Sequence, residues 1–171
     1  MTEAPATPES ATPESLFRAL ADLGIETVTH THPPLKTVED SKALRGDLPG
    51  GHCKNLFLKD KKGQLWLVVT LEDRPVDMKD LKQRIGSAHL SFGRAELLAE
   101  VLGVAPGAVT PFALINDRAG QVNVVLDADM MALDLLNYHP LVNTMTVAIR
   151  PGDLRAFIRW TGHAAAEIAL E

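Results

Sequence analysis

The sequence has little of what stabilises secreted proteins or anchors membrane proteins. Its 171 residues include one cysteine, Cys53, so the chain cannot form an internal disulfide or a zinc site built on two or more thiolates. No apolar run approaches the roughly 20 residues of a membrane-spanning helix. Residues 1–12 contain no basic residue and no apolar segment, unlike a signal peptide. We therefore expect a reduced, cytoplasmic protein.

The charge balance is acidic, with a net charge of −5. This argues against a protein that binds nucleic acids indiscriminately. The charge is unevenly distributed, because residues 54–94 hold nine Lys and Arg against five Asp and Glu. These cations could face a phosphate backbone together, or they could be scattered over a solvated surface.

The common catalytic motifs are also missing. The sequence has no nucleophile elbow, phosphate-binding loop, zinc-protease motif or dinucleotide fingerprint. His30 and His32 alternate as a metal pair on a strand would, but two prolines follow and no carboxylate lies at ligand spacing, so a surface pair is favoured. Cys53 follows His52, and neighbouring strand residues point to opposite faces, so we expect a small buried cysteine and no thiol–imidazole couple. We expect no metal and no cofactor.

The pattern of elements predicts an α+β fold in which helices flank a mixed sheet. We expect residues 1–12 to be a disordered tail and residues 13–171 to form a single domain, since only the latter carry periodic apolar residues. Predicted helices cover 13–23, 38–44, 78–84, 94–102, 128–136 and 153–160. Predicted strands cover 25–30, 54–59, 64–71, 113–115, 121–126 and 144–150, with an irregular segment over 137–143. No second apolar helix face is evident, which favours a monomer.

Three segments carry polar groups suited to a site. Lys54 opens an apolar strand, where its ammonium must reach water or an anion, although an edge lysine would satisfy this too. Residues 107–112 form a Gly/Pro loop whose amides could bind an anion or an oxyanion, although it could be a plain turn. Residues 138–146 combine His139, Asn143, Thr144 and Thr146 in an irregular stretch, where these groups could instead cap a strand.

Together these segments resemble the YbaK/prolyl-tRNA-editing superfamily. The resemblance rests on the run Lys54-Asn55-Leu56-Phe57-Leu58 before a charged hairpin, on the G-x-x-x-P loop Gly107–Pro111, and on His139-Pro-Leu-Val-Asn143-Thr-Met-Thr146. It covers about residues 13–162. The last stretch is most similar to the free-standing alanine-editing branch, ProXp-ala or PrdX. The resemblance implies a curved mixed sheet flanked by helices.

The resemblance also implies a metal-free hydrolase that acts in trans on mischarged prolyl-tRNA and releases alanine. Its expected partner is the acceptor stem and 3′ end of tRNA(Pro) charged with alanine, with prolyl-tRNA synthetase as a further candidate and no membrane or specific DNA. The expected catalytic residues are Lys54, which would hold the terminal adenosine, and Gly107 and Ala108, whose loop would stabilise the oxyanion. The expected substrate-binding residues are Asn55, Thr110, Pro111, His139, Asn143 and Thr144.

Two other interpretations stay open at this point. The same chemistry could act on cysteinyl-, seryl- or threonyl-tRNA, because pocket volume decides the substrate and the sequence does not give it. The chain could also be a non-catalytic RNA-binding or regulatory module that retains the fold.

Overall fold

The fold is a mixed eight-stranded sheet flanked by helices, as expected. A computed structural model describes residues 10–34, 43 and 48–170. The strands are β1 Val28–Thr31, β2 Gly51–Asp60, β3 Leu65–Leu71, β4 Leu90–Phe92, β5 Val122–Asp127, β6 Leu136–Tyr138, β7 Met145–Ile149 and β8 Ala165–Ile168. The helices are α1 Pro13–Asp22, α2 Met78–Ile85, α3 Ala95–Leu102, α4 Ala128–Met131 and α5 Pro151–Trp160, with a 3-10 helix at Pro111–Asn116. No helix in the described part of the chain is long and apolar enough to cross a membrane.

The strand order is β1-β7-β6-β2-β3-β5-β8, and β4 also pairs with β2. The predicted hairpin is confirmed as the antiparallel pair β2–β3, while β2–β6, β3–β5 and β5–β8 are parallel. The edge of β2 that faces away from β3 has two partners. There β6 pairs only with Gly51 and His52, and β4 pairs with Leu58–Asp60. Between them the sheet has an opening, because no other described strand pairs with this edge.

The two faces of the sheet bury different cores. The larger core contains Leu16, Leu102, Phe112 and Phe157 from the flanking helices, and β2 contributes Phe57 to it. A smaller cluster on the opposite face contains Leu58 of β2 and Leu81 of α2. Alternation along β2 therefore sends odd-numbered side chains to the larger core and even-numbered ones to the α2 face.

Several predicted elements were wrong. The strand predicted at 113–115 is part of the 3-10 helix, where Thr110 caps and Pro111 fixes the first turn. The helix predicted from 128 ends at Met131, and Leu136–Tyr138 joins the sheet as β6. β4 and β8 were not predicted, since three and four residues carry little periodic signal. Of the helix predicted over 38–44, only residue 43 is described, and it is helical.

The predicted boundary between tail and domain lies at least two residues too far toward the C-terminus. The amide of Ala11 donates to Asn116 Oδ1 at 2.8 Å. Thr12 caps α1, because its Oγ1 accepts from the Ser15 amide at 3.1 Å while Ser15 Oγ accepts from the Thr12 amide at 2.9 Å. Residues 11 and 12 therefore belong to the folded domain, and residues 1–9 lie outside the described part of the chain.

Candidate active site

The opening in the sheet lies where β2 and β6 diverge. These parallel strands pair Gly51 with Leu136 and His52 with Asn137. Continued by one residue, this register brings Cys53 beside Tyr138, whose hydroxyl donates to Met130 Sδ at 3.3 Å. One residue further, Lys54 is level with His139, and there the chain leaves the sheet. Crevices where parallel strands diverge are common ligand sites in α/β sheets.

Asn55 presents its backbone to this opening. The bonds of the Glu72 amide to His52 O and of the Asp60 amide to Gln64 O show that even-numbered residues of β2 bond to β3. In an antiparallel ladder the odd-numbered residues then direct their amide and carbonyl to the other edge. The side chain of Asn55 points toward the larger core, and its Oδ1 is buried without a hydrogen-bond partner among the described residues. A buried acceptor without a partner is costly, which makes this atom a candidate for binding a ligand donor.

The Lys54 side chain lies on the other face of the sheet, where hydrogen bonding fixes the position of its ammonium group. Its Nζ donates to the carbonyl oxygen of Arg74. Lys54 pairs with Thr70 of β3, whose hydroxyl donates to the buried Asp127 carboxylate at 2.6 Å. Arg74 Nε donates to the same carboxylate oxygen at 2.7 Å, and Arg74 Nη2 reaches Asp129 at 2.7 Å. The carbonyl that orients Lys54 is thereby tied to a buried ion pair.

The glycine loop begins with a left-handed residue. Gly107 has φ +92°, which an L side chain rarely adopts. The Ala108 amide donates to Ala105 O at 3.0 Å, so this amide is used within the turn and does not serve the oxyanion role expected of it. Among the described residues, the amides of Gly107 and Val109 have no partner. These two are the candidate donors of the loop.

The next two residues of the loop hold it in place. Thr110 is fully buried, and its Oγ1 accepts from the Phe112 amide at 3.3 Å. Pro111 is also buried, as the first residue of the 3-10 helix. Both of these expected substrate-binding residues have buried side chains. They fix the conformation of the amides that precede them.

The third segment meets the glycine loop through Asn143. A Cβ added at Gly107 would lie 3.9 Å from Asn143 Nδ2. Leu141 holds φ +73°, the only non-glycine residue described in the left-handed region. Such strain persists where the surroundings enforce it, and the Leu141 side chain is buried in the core. Thr144 contributes its carbonyl, which accepts from the His32 amide at 2.9 Å.

His139 is half-buried and has one defined hydrogen bond. Its Nδ1 lies 2.9 Å from Met145 O, and a carbonyl can only accept, so Nδ1 carries the proton. Nε2 of the neutral ring therefore holds a lone pair. Burial lowers the pKa of His139, and the neighbouring His32 lowers it further, against the raising effect of the Met145 carbonyl. His32 itself is fixed by Thr146, whose Oγ1 lies 2.8 Å from His32 Nε2.

Comparison with known proteins identifies the family of this chain. The model of the aminoacyl-tRNA editing domain matches residues 32–157. The chain belongs to the aminoacyl-tRNA editing domain family. It is 40% identical over 155 residues to prolyl-tRNA synthetase associated domain-containing protein 1 of Xenopus laevis, covering 88% of this chain and 92% of that one. It is 33% identical over 158 residues to the prolyl-tRNA editing protein ProX of Acetoanaerobium sticklandii, covering 92% and 96%.

Solved structures agree on the fold of this editing domain. A protein crystallised as a candidate trans-editing enzyme for prolyl-tRNA synthetase superposes with a TM-score of 0.68 at 17% identity. The alignment covers 94% of this chain and 99% of that one. The hypothetical protein APE2540 gives a TM-score of 0.69 at 21% identity, covering 90% and 97%.

The expected residues fall into two groups in the editing domain. Gly107 and Asn143 are neighbours, and register and alternation bring Asn55, Lys54 and His139 to the same opening from its two faces. Burial raises the pKa of the Cys53 thiol to about 12, which disfavours the thiolate form near neutral pH. The described residues contain no group of three or more side chains that could hold a metal ion.

Several residues that support this candidate site were not predicted from the sequence. Thr70, Arg74 and Asp127 surround the base of Lys54, and His32 and Thr146 lie beside His139. Each comes from a strand or loop distant in sequence. Asp127 is the one supporting residue that the sequence could have indicated, because it is an acidic residue at the end of an apolar strand. From the sequence alone, however, it is predicted only to cap the following helix. It does cap α4, since its Oδ1 accepts from the Asp129 amide at 2.9 Å.

Proposed function

We propose that this editing domain is a trans-acting deacylase that hydrolyses the ester of alanyl-tRNA(Pro). Relatives named as prolyl-tRNA editing and prolyl-tRNA synthetase associated proteins support the class of substrate. The observation that carries the proposal is Asn55, whose backbone faces the opening and whose buried Oδ1 lacks a donor among the described residues. A charged 3′ end supplies donors of this kind, namely the ammonium of the amino acid and the ribose hydroxyl.

The reaction needs positioning and charge stabilisation more than a nucleophile. Water attacks the ester carbonyl carbon, and the bond from that carbon to the ribose oxygen breaks. The attacking water loses one proton and the departing ribose oxygen gains one, which gives alanine and uncharged tRNA. The free amides of Gly107 and Val109 stabilise the negative charge on the carbonyl oxygen, as backbone donors do in other acyl transfers. Their fixed orientation comes from the buried Thr110 and Pro111.

Lys54 and His139 act from the opposite side of the crevice. The ammonium of Lys54, held by the Arg74 carbonyl, binds a phosphate or ribose oxygen of the terminal adenosine. His139 is neutral near pH 7 because its pKa is lowered, so its Nε2 accepts a hydrogen bond. In this proposal His139 shapes the pocket and orients substrate or water, and the chemistry proceeds without a protein nucleophile.

Size selects alanine over proline. A synthetase distinguishes poorly against an amino acid smaller than its own, because the smaller one still enters its pocket. A second site that admits only the smaller residue corrects the error. Here the space beside Gly107 is bounded by Asn143 Nδ2, which would lie 3.9 Å from a Cβ added at that glycine.

The test is a panel of tRNA(Pro) charged with alanine, cysteine, serine or proline, each incubated with the protein or with buffer in the presence of a chelator. We expect rapid release of alanine and no release of proline. Faster release of cysteine or serine would assign the domain to another substrate. Release of no amino acid above the buffer rate would leave a non-catalytic RNA-binding module.

A further inference from the structure

A second feature lies at the far end of the same opening. Phe92 ends β4 and is 64% exposed, more than any other large apolar side chain described. An isolated exposed apolar residue needs no explanation by itself. Phe92 differs in its position, because β4 is the strand that closes the opening on the side opposite β6.

Register places Phe92 on the same face of the sheet as Lys54. Phe92 pairs with Leu58, so the two side chains share a face. Leu58 and Lys54 are four residues apart on β2 and therefore also share a face, about 13 Å apart at the usual rise of a strand. Half-buried Leu56 lies between them. A continuous strip thus runs from the ammonium of Lys54 to the ring of Phe92.

The backbone that carries Phe92 is anchored to β2. The amide of the next residue, Gly93, donates to Phe57 O at 2.9 Å. A Cβ at Gly93 would lie 2.5 Å from the Phe57 ring, so only glycine permits this close approach. Phe92 is therefore an exposed aromatic side chain on an anchored backbone, which loses little freedom when it binds a partner.

The chain on either side of Phe92 is rich in basic residues. Residues 81–95 contain two arginines, a lysine and a histidine and no acidic residue, and one of these arginines, Arg84, is paired with the preceding Asp80 at 2.7 Å. Lys82 lies on the side of α2 that carries Met78 and Ile85, both packed on the smaller core beside β2. Arg94 is exposed and follows Phe92 by two residues with an extended backbone. Among the described residues, neither Lys82 nor Arg94 forms an ion pair.

We propose that Phe92 is a stacking platform for a base in the unpaired 3′ end of the tRNA, with Lys82 and Arg94 on the adjoining phosphates. An aromatic ring flanked by unpaired cations is the combination that binds single-stranded nucleic acid. This inference rests on the proposed function, because the strip leads to the crevice that would receive the terminal adenosine. It adds a second point of contact, which sets the direction in which the 3′ end enters.

The test measures binding of uncharged tRNA(Pro), with and without its three 3′-terminal nucleotides, by fluorescence anisotropy. Phe92→Ala should weaken binding of the complete tRNA by about 5- to 150-fold, the range for loss of one base–aromatic stack. It should leave binding of the shortened tRNA unchanged, and Phe92→Trp should retain full affinity. The control is Trp160→Leu, which removes another half-exposed aromatic ring, on α5, and should have no effect.

Three results would overturn the proposal. Unchanged affinity in Phe92→Ala would remove the ring from the interface. Equal weakening for both tRNAs would move its contact away from the 3′ end. Full affinity in Phe92→Leu would make the contact apolar and not a stack. None of these measurements involves hydrolysis, so a failure of the proposed deacylation would be recognised separately.

Discussion

At the scale of single residues, Lys54 is the site residue whose replacement should disturb the fold least. It is half-exposed at the end of the β2–β3 ladder, so its loss removes little buried area. We expect Lys54→Ala to lower single-turnover hydrolysis of alanyl-tRNA(Pro) by about 100-fold or more, the scale of one lost positioning or charge-stabilising contact. Its melting temperature should stay near that of the wild type. An unchanged rate would reject the role, and so would a mutant that does not fold.

Asp127 stabilises the position of Lys54 through the Arg74 carbonyl. Removing one member of a buried ion pair costs about 3–5 kcal/mol, because the other charge stays buried without its partner. We expect a loss of this size in Asp127→Ala, measured by urea denaturation. Asp129→Ala is the matched control, since its carboxylate contacts the same guanidinium but is 59% exposed, and we expect at most about 1 kcal/mol there. Equal losses would show that the buried pair has no special weight.

His139 should make stability depend on pH in one direction. Its pKa in the folded state is lowered by burial, so below its ordinary value the unfolded chain binds more protons than the folded one. The contribution of neutral His139 to the free energy of unfolding is therefore complete above the ordinary histidine pKa. It is lost as the pH falls toward the lowered pKa of the folded state. We expect the free energy of unfolding of wild type to fall more steeply with acid than that of His139→Asn. Parallel curves from pH 8 to pH 5 would contradict this assignment.

At the scale of elements, the N-terminal helix depends on its capping residue, Thr12. Thr12 and Ser15 cap α1 reciprocally, and Leu16 and Leu20 bury its apolar face. We expect Thr12→Ala to cost about 1 kcal/mol, the usual effect of losing such a cap. Thermal denaturation measures this. Thr161→Ala would not serve as a control, because Thr161 contacts the buried pair His163–Asp117. Thr29→Ala is the appropriate control, because Thr29 is exposed on β1 and its side chain forms no hydrogen bond among the described residues, so we expect little change there.

Elements with a strong period or a clear turn were predictable, and short ones were not. The β2–β3 hairpin followed from alternating apolar residues around Asp60–Gly63, whose turn the Asp60 carboxylate stabilises by accepting from the Lys62 and Gln64 amides. β6 was not predictable, since Leu136–Tyr138 becomes a strand only because β2 and β7 lie on either side of it. In this segment, pairing with neighbouring strands determines the conformation more strongly than the local sequence preference does.

At the scale of the whole molecule, the sequence indicated candidate segments for the site but not how they are arranged in space. Lys54, Gly107 and His139 were recognisable as motifs, and the family to which they point is confirmed. That Lys54 and Asn55 approach one opening from opposite faces depends on the divergence of β2 and β6, which no local pattern encodes. The use of the Ala108 amide inside its own turn is likewise visible only in three dimensions.

The central claim is that the glycine loop at this opening stabilises the oxyanion of the ester, and Gly107→Val tests it most directly. Gly63→Val is a matched control, since both glycines hold a positive φ, +92° and +83°, and the Gly63 turn is far along β2 from the crevice. Each variant should lose about 1–3 kcal/mol of stability through backbone strain. Both should bind uncharged tRNA(Pro) as the wild type does. The account predicts that Gly107→Val loses single-turnover hydrolysis of alanyl-tRNA(Pro) while Gly63→Val retains it, and hydrolysis at the wild-type rate by Gly107→Val would contradict it.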